Sequence, residues 1–201
     1  KKLKLAIIAV DPSSEITGGS ILGDKTRMAE LNLKNNVYIR PLASKGSYGG
    51  VTPRVEKIIA AMKSWKFDFI IVETLGIGQA ESNIYTLVDD LVLVVPPATG
   101  DDLQAMKRGI LELVDGLCIN KIDLVSEELS RNSLRQYENS LSFLRSKEIP
   151  IFLCNATISH GIDLFSLWVE KRFNEYWKRR VSSRNKVRTQ EKLLVTDLEI
   201  L

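Results

Sequence analysis

The sequence predicts an α/β fold, a mostly parallel sheet with helices on both faces. Short runs rich in Ile, Val and Leu recur without polar alternation, as strands covered on both faces do. Amphipathic segments at helical spacing lie between those runs. The chain has 201 residues, 44% of them hydrophobic, enough for one domain core.

In chain order, strands are expected at residues 3–10, 36–40, 67–72, 90–95, 116–120 and 149–154, the second being the weakest. A helix is expected over 25–33. Another over 53–66 places Val55, Ile58, Ile59 and Met62 on one face and Pro53 in its first turn. A third, over 126–147, carries Leu129, Leu134, Tyr137, Leu141 and Leu144, with Ser126 as its N-cap. The last, over 163–180, carries Leu164, Leu167, Trp168, Phe173 and Trp177. Residues 1–180 read as the domain and 181–201 as a C-terminal basic arm or helix.

The net charge is +3, too small for a protein that binds nucleic acid over its whole surface. Residues 178–192 hold seven basic side chains and one acid, so the excess is local, and a solvated face is its plain reading. Cys118 and Cys154 each sit in a strand-like run, where a buried free thiol is the default. No secretory signal is legible, and no run approaches the ~18 apolar residues of a membrane span. A soluble protein of a reducing compartment is expected, with no nucleic-acid or membrane partner.

In parallel sheets, ligands bind beyond the carboxyl ends of the strands. After residues 116–120 comes Asn120-Lys121-Ile122-Asp123. Guanine presents a ring N–H and an exocyclic amine side by side, and one carboxylate accepts both; adenine lacks that pair. The Lys stem can lie along the base and the Asn can tie neighbouring loops. This is the guanine-specificity motif of GTPases; a turn built on an Asx residue is its plain alternative. Asn155-Ala156 follows the next strand, where GTPases place a backbone contact to the base.

Glu73 closes an apolar run, where an acid can hold a metal-bound water, and Gly76 lets backbone N–H approach a terminal phosphate. Gly76-x-Gly78 is not a dinucleotide fingerprint, because Glu81 stands where the third glycine belongs. Asp11 and Asp24 are candidate Mg²⁺ ligands. Their alternatives are a turn residue before Pro12 and a helix cap. His160 reads as a solvated loop residue.

The run D-P-S-S-E-I-T-G-G-S-I-L-G-D-K-T-R-M-A at residues 11–29 resembles the methylmalonyl-CoA mutase-associated P-loop GTPases, the MeaB/ArgK/MMAA group. So do Ile39-Arg40-Pro41, Gly49-Gly50-Val51, residues 73–79, and Thr99 to Gln104 with Lys107. The similarity covers about residues 3–180.

The resemblance implies a P-loop GTPase of the metallochaperone and signal-recognition subclass. It implies GTP/GDP and Mg²⁺ as cofactors, and protection and reloading of a cobalamin-dependent acyl-CoA mutase by a homodimer. The setting would be cytoplasmic, or the mitochondrial matrix in a eukaryote. Asp11, Asp24 and Glu73 correspond to the Mg²⁺ carboxylates, Glu73 being the Walker B acid. Glu73 and Gln79 are the candidate catalytic residues, while Ile77 occupies the place where some GTPases position a glutamine. Arg27, Gln104 and Lys107 fall in switch segments that communicate with the partner.

The family pattern begins with a strand, a G-x-x-x-x-G-K-[ST] loop and a helix, and no such motif occurs in the 201 residues. The Lys and Ser/Thr of that loop would serve the phosphates and Mg²⁺. A sequence truncated at its front is therefore expected, lacking an inner strand and binding GTP weakly on its own. A non-hydrolysing partner-binding module and a kinase linked to basic amino-acid transport are the alternative functions.

Overall fold

The computed structural model describes residues 3–11, 28–43, 51–74, 84–97, 108–144 and 148–184. The chain divides into two compact units, Lys1–Gly161 and Ile162–Leu201.

In the first unit, strands β1 (Leu5–Asp11), β2 (Val37–Ala43) and β3 (Phe69–Thr74) form a parallel sheet ordered β2-β1-β3. Strands β4 (Val92–Val95), β5 (Gly116–Asn120) and β6 (Ile151–Cys154) form a second, ordered β4-β5-β6 and also parallel. The helices are α1 (Ala29–Asn32), α2 (Val51–Ser64), α3 (Arg108–Leu111) and α4 (Glu127–Leu144), with α5 (Ile162–Arg184) in the second unit.

The parallel α/β architecture matches the expectation, but one continuous sheet is not what forms among the described residues. Two three-stranded halves form instead, each with its own core. In the first, Ala6, Ile8 and Val10 of β1 meet Val55, Ile58, Ile59 and Met62 of α2. In the second, Val95, Leu117 and Ile119 meet Ile110, Leu111 and Val114 and, from α4, Tyr137 and Leu141. Each fully buried Leu or Ile contributes about 1.5–3 kcal/mol over leaving it in water, so each half holds together through its own helices. The outward strands keep apolar surface in solvent: Ile71 of β3 is 40% exposed and Val94 of β4 is 60% exposed. The middle strand β1 is buried from Ala6 to Val10. Pro41 lies in β2, where a missing backbone donor is tolerated because β2 is an edge strand.

Local chemistry sets the helix ends. Helix α2 begins at Val51, two residues before the expected Pro53, which occupies the first turn where no donor is needed. It closes through Phe67 N–H to Met62 O at 3.1 Å, with Lys66 in the left-handed region at φ 60°. Helix α4 is capped by Ser126, whose Oγ accepts from Leu129 N–H at 3.2 Å.

The second unit contains α5. Phe165 stacks on Trp168 and Phe173 on Trp177, both at 6.1 Å between ring centroids. Arg172 lies over the Tyr176 ring at 5.0 Å and donates to its hydroxyl at 2.7 Å. The helix continues past the expected boundary at 180 to Arg184; residues 185–201 lie outside the described residues.

Candidate guanine-nucleotide site

Asn120 is the last residue of β5 and pairs in register with Cys154, the last of β6. The loops that leave these two strands therefore start side by side. Asn120 Oδ1 accepts from Ala156 N–H at 3.0 Å, which ties one loop to the other.

Beyond Asn120 the chain turns sharply. Lys121 has φ 66° and ψ 36°, the left-handed region, and Ile122–Leu124 form a single 3₁₀ turn closed by Leu124 N–H to Lys121 O at 3.2 Å. That conformation costs an L-residue about 1–2 kcal/mol. Strain of this kind persists where neighbouring structure over-determines it, often at functional sites. The turn leaves Lys121 and Asp123 exposed, a cation and an anion two residues apart beyond the strand end.

The loop after β6 is closed on itself. Asn155 N–H donates to His160 O at 2.9 Å, and His160 N–H donates back to Asn155 O at 3.0 Å. Inside it, Thr157 N–H donates to Asn155 Oδ1 at 3.0 Å, an Asx turn. Asn155 is buried and Ala156 to His160 are exposed. Gly161 ends the loop at φ 70°, and a Cβ there would lie 2.0 Å from Leu153 O. Composition did not single out Gly161; a glycine between a strand-end loop and the next helix is the signal that could have found it.

Cys118 and Cys154 lie on one face of this sheet, opposite the face that Leu117, Ile119 and Leu153 turn to the core. Both are free and buried. Cys154 Sγ donates to Gly161 O at 3.6 Å. Burial, and then the hydrogen bond to Cys154, push the Cys118 thiol up to about 12, so it stays protonated.

The other predicted residues belong to the first sheet or to segments outside the described residues. Asp11 ends β1, and Glu73 is the penultimate residue of β3, paired in register with Ala9. Two carboxylate residues thus stand at the carboxyl ends of adjacent strands. Their oxygen chemistry fits Mg²⁺, which needs one or two carboxylates and keeps several waters. No cluster of three or more His, Cys, Asp or Glu side chains occurs among the described residues. Asp24, Arg27, Gly76, Gln79, Gln104 and Lys107 lie outside the described residues. A concavity of about 840 Å³ bounded by Leu3, Leu33, Lys34, Asn35 and Asn36 lies at the amino ends of β1 and β2, the opposite strand ends from Asp11 and Glu73. No helix among the described residues is long and apolar enough to cross a membrane.

The fold is α/β, with parallel strands and helices between them. It is similar to the crystal structure of HypB from Helicobacter pylori in complex with nickel: TM-score 0.62, 17% identity, 87% of this chain and 76% of that one. The chain itself belongs to the family described as methylmalonyl Co-A mutase-associated GTPase MeaB, whose model matches residues 1–199. It is 40% identical to the GTPase ArgK of Escherichia coli over 165 residues, which is 80% of this chain and 50% of that protein. It is 44% identical over 144 residues to the mitochondrial methylmalonic aciduria type A homolog of Mus musculus, covering 72% of this chain and 35% of that protein. The chain spans about half the length of the E. coli relative and a third of the mouse one.

Proposed function

We propose that the full-length protein is a GTP-binding and GTP-hydrolysing chaperone of a cobalamin-dependent acyl-CoA mutase such as methylmalonyl-CoA mutase. The observation that carries the nucleotide half is the Asn120 Oδ1 to Ala156 N–H bond, which locks together the two loops that would surround a guanine. The family description and the name of the mouse relative support the mutase half.

In this reading Asp123 accepts from the guanine ring N–H and amine, Lys121 lays its stem along the base, and Ala156 offers loop backbone to it. Asp11, Asp24 and Glu73 would hold Mg²⁺ directly or through water, which would neutralise phosphate oxygens when bound. Backbone near Gly76 would approach the terminal phosphate. Gln79 is the candidate for orienting the attacking water, whose in-line displacement yields GDP and phosphate. Residues of the Arg27, Gln104 and Lys107 segments report the nucleotide state to the mutase. The protein works as a homodimer in a reducing compartment, cytoplasm or mitochondrial matrix.

Co-purification of the full-length protein with candidate acyl-CoA mutases, in GDP and in a non-hydrolysable GTP analogue, tests this. One mutase should be retained, with a yield that differs between the two nucleotides. Equal and negligible retention of every mutase in both would remove the chaperone half.

A further inference from the structure

We propose that Cys154 is a positioning residue of the base site, whose thiol holds the Gly161 carbonyl and so fixes the loop that presents Ala156. The inference rests on the guanine reading and adds to it a residue outside the motif.

The loop 155–161 has two ends to secure. Its leading end is bound across to β5 through Ala156 N–H and Asn120 Oδ1 at 3.0 Å. Its trailing end is Gly161, which carries no side chain and sits at φ 70°. A left-handed glycine is a hinge unless something fixes the adjoining peptide. The Asn155–His160 bridge holds the peptide before Gly161, and Cys154 holds the carbonyl after it: Cys154 is the last residue of β6, it is 0% exposed, and its Sγ lies 3.6 Å from Gly161 O. Strand and loop end are thereby joined across seven residues of chain.

The direction of the bond follows from the acceptor, since a carbonyl can only accept, and the neighbour is compatible with it. Cys118 lies two positions along β5 from Asn120, on the same face as Cys154. Burial, and then the Cys154 side chain beside it, push its thiol up to about 12, so it stays protonated. A protonated Cys118 can donate to the Cys154 sulfur, which leaves the Cys154 S–H to donate to the carbonyl. A thiol is a weak donor, and the Gly161 carbonyl it reaches is part-buried, so the bond orients that carbonyl and adds modestly to its pairing. A small apolar residue would fill the same space and lack this donor, which is the distinction the experiment uses.

The test compares Cys154→Ala, Cys154→Val and Cys154→Ser in the full-length protein, with Asp123→Asn as a control. Two quantities are read: amide exchange at Asn155 and His160, and the affinity ratio of GDP to 2,6-diaminopurine riboside diphosphate, which keeps the exocyclic amine and replaces the 6-carbonyl that a backbone N–H of the loop can reach. Ala and Val should speed exchange and lower the ratio by about three- to tenfold, and Ser, which keeps a donor, should restore most of both. Val keeps most of the thiol's volume, so it reads the donor even where Ala fails to fold. Unchanged exchange and ratio in Ala or Val would overturn the proposal and leave Cys154 as core filling. Faster exchange with an unchanged ratio would also overturn it. In that case the control separates the causes: a ratio that Asp123→Asn also leaves unchanged places the failure in the guanine reading, and one that it lowers places it in Cys154.

Discussion

Replacing Asp123 by Asn is expected to turn the full-length protein from guanine to xanthine nucleotides. A carboxylate offers two acceptor oxygens to the two adjacent donors of guanine. An amide offers one acceptor and one donor, so one guanine donor then meets an N–H. Xanthine carries a carbonyl where guanine carries the amine, and that carbonyl accepts from the new amide. Hydrogen bonds to a charged group are worth about 1.5–3 kcal/mol each. Losing one and weakening the other should lower GDP affinity by about a hundredfold, while XDP affinity rises. Titration calorimetry with both nucleotides reads the exchange. A variant that still prefers GDP would remove Asp123 from the base site.

The second large effect is at Gly161. In Gly161→Ala the new Cβ would lie 2.0 Å from Leu153 O and 3.1 Å from Leu153 C, both backbone atoms that cannot swing away. The residue would also keep φ 70°, which costs an L-residue about 1–2 kcal/mol. A total loss of about 2–4 kcal/mol is expected from strain at such a position. Gly109 is the contrast. It lies in α3, with nothing within 4 Å of a Cβ, so Gly109→Ala should gain about 0.5–1 kcal/mol. Urea midpoints of the 201-residue chain measure both. A Gly161→Ala midpoint equal to that of the parent chain would contradict the loop geometry.

Much of the fold was legible because apolar runs mark buried strands. β5 appears over the residues expected, Gly116–Asn120, where a turn precedes it and the guanine-type motif follows. Other strands start later than their apolar runs, where acidic side chains take backbone donors at the strand starts. Lys4 N–H donates to Asp68 Oδ2, and Lys4 O accepts from Asp68 N–H, so β1 begins at Leu5 and β3 at Phe69 rather than at 3 and 67. Leu91 N–H donates to Asp115 Oδ2, and β4 begins at Val92 rather than at 90. Such partners are 64 and 24 residues apart in sequence, and no local pattern reveals them. β2 runs to Ala43, past the expected 40, because Arg40 to Ala43 pair with Ile8 to Asp11 whatever their side chains.

The candidate site was legible in the same uneven way. Asn120, Lys121, Asp123, Asn155 and Ala156 were visible as a motif and its companion because they are side chains or neighbours of fixed spacing. The roles of Cys154 and Gly161 were not, since they depend on a carbonyl direction and a positive φ. Glu73 was read as the end of its strand; Thr74 extends the strand one residue further by pairing with Val10. Two halves in place of one sheet agree with the inner strand expected to be lacking; the strand order within each half follows from pairing among distant strands, which periodicity does not encode.

The claim on which the rest depends is that the strand-end loops after β5 and β6 read guanine. Competition of GDP, IDP and ADP against a fluorescent GDP analogue on the unmodified full-length protein measures it directly. GDP should displace the analogue at about tenfold or more lower concentration than IDP, since the missing amine forfeits one bond to the carboxylate, and ADP should fail at any practical concentration. Displacement by ADP at the concentrations that suffice for GDP would contradict the account.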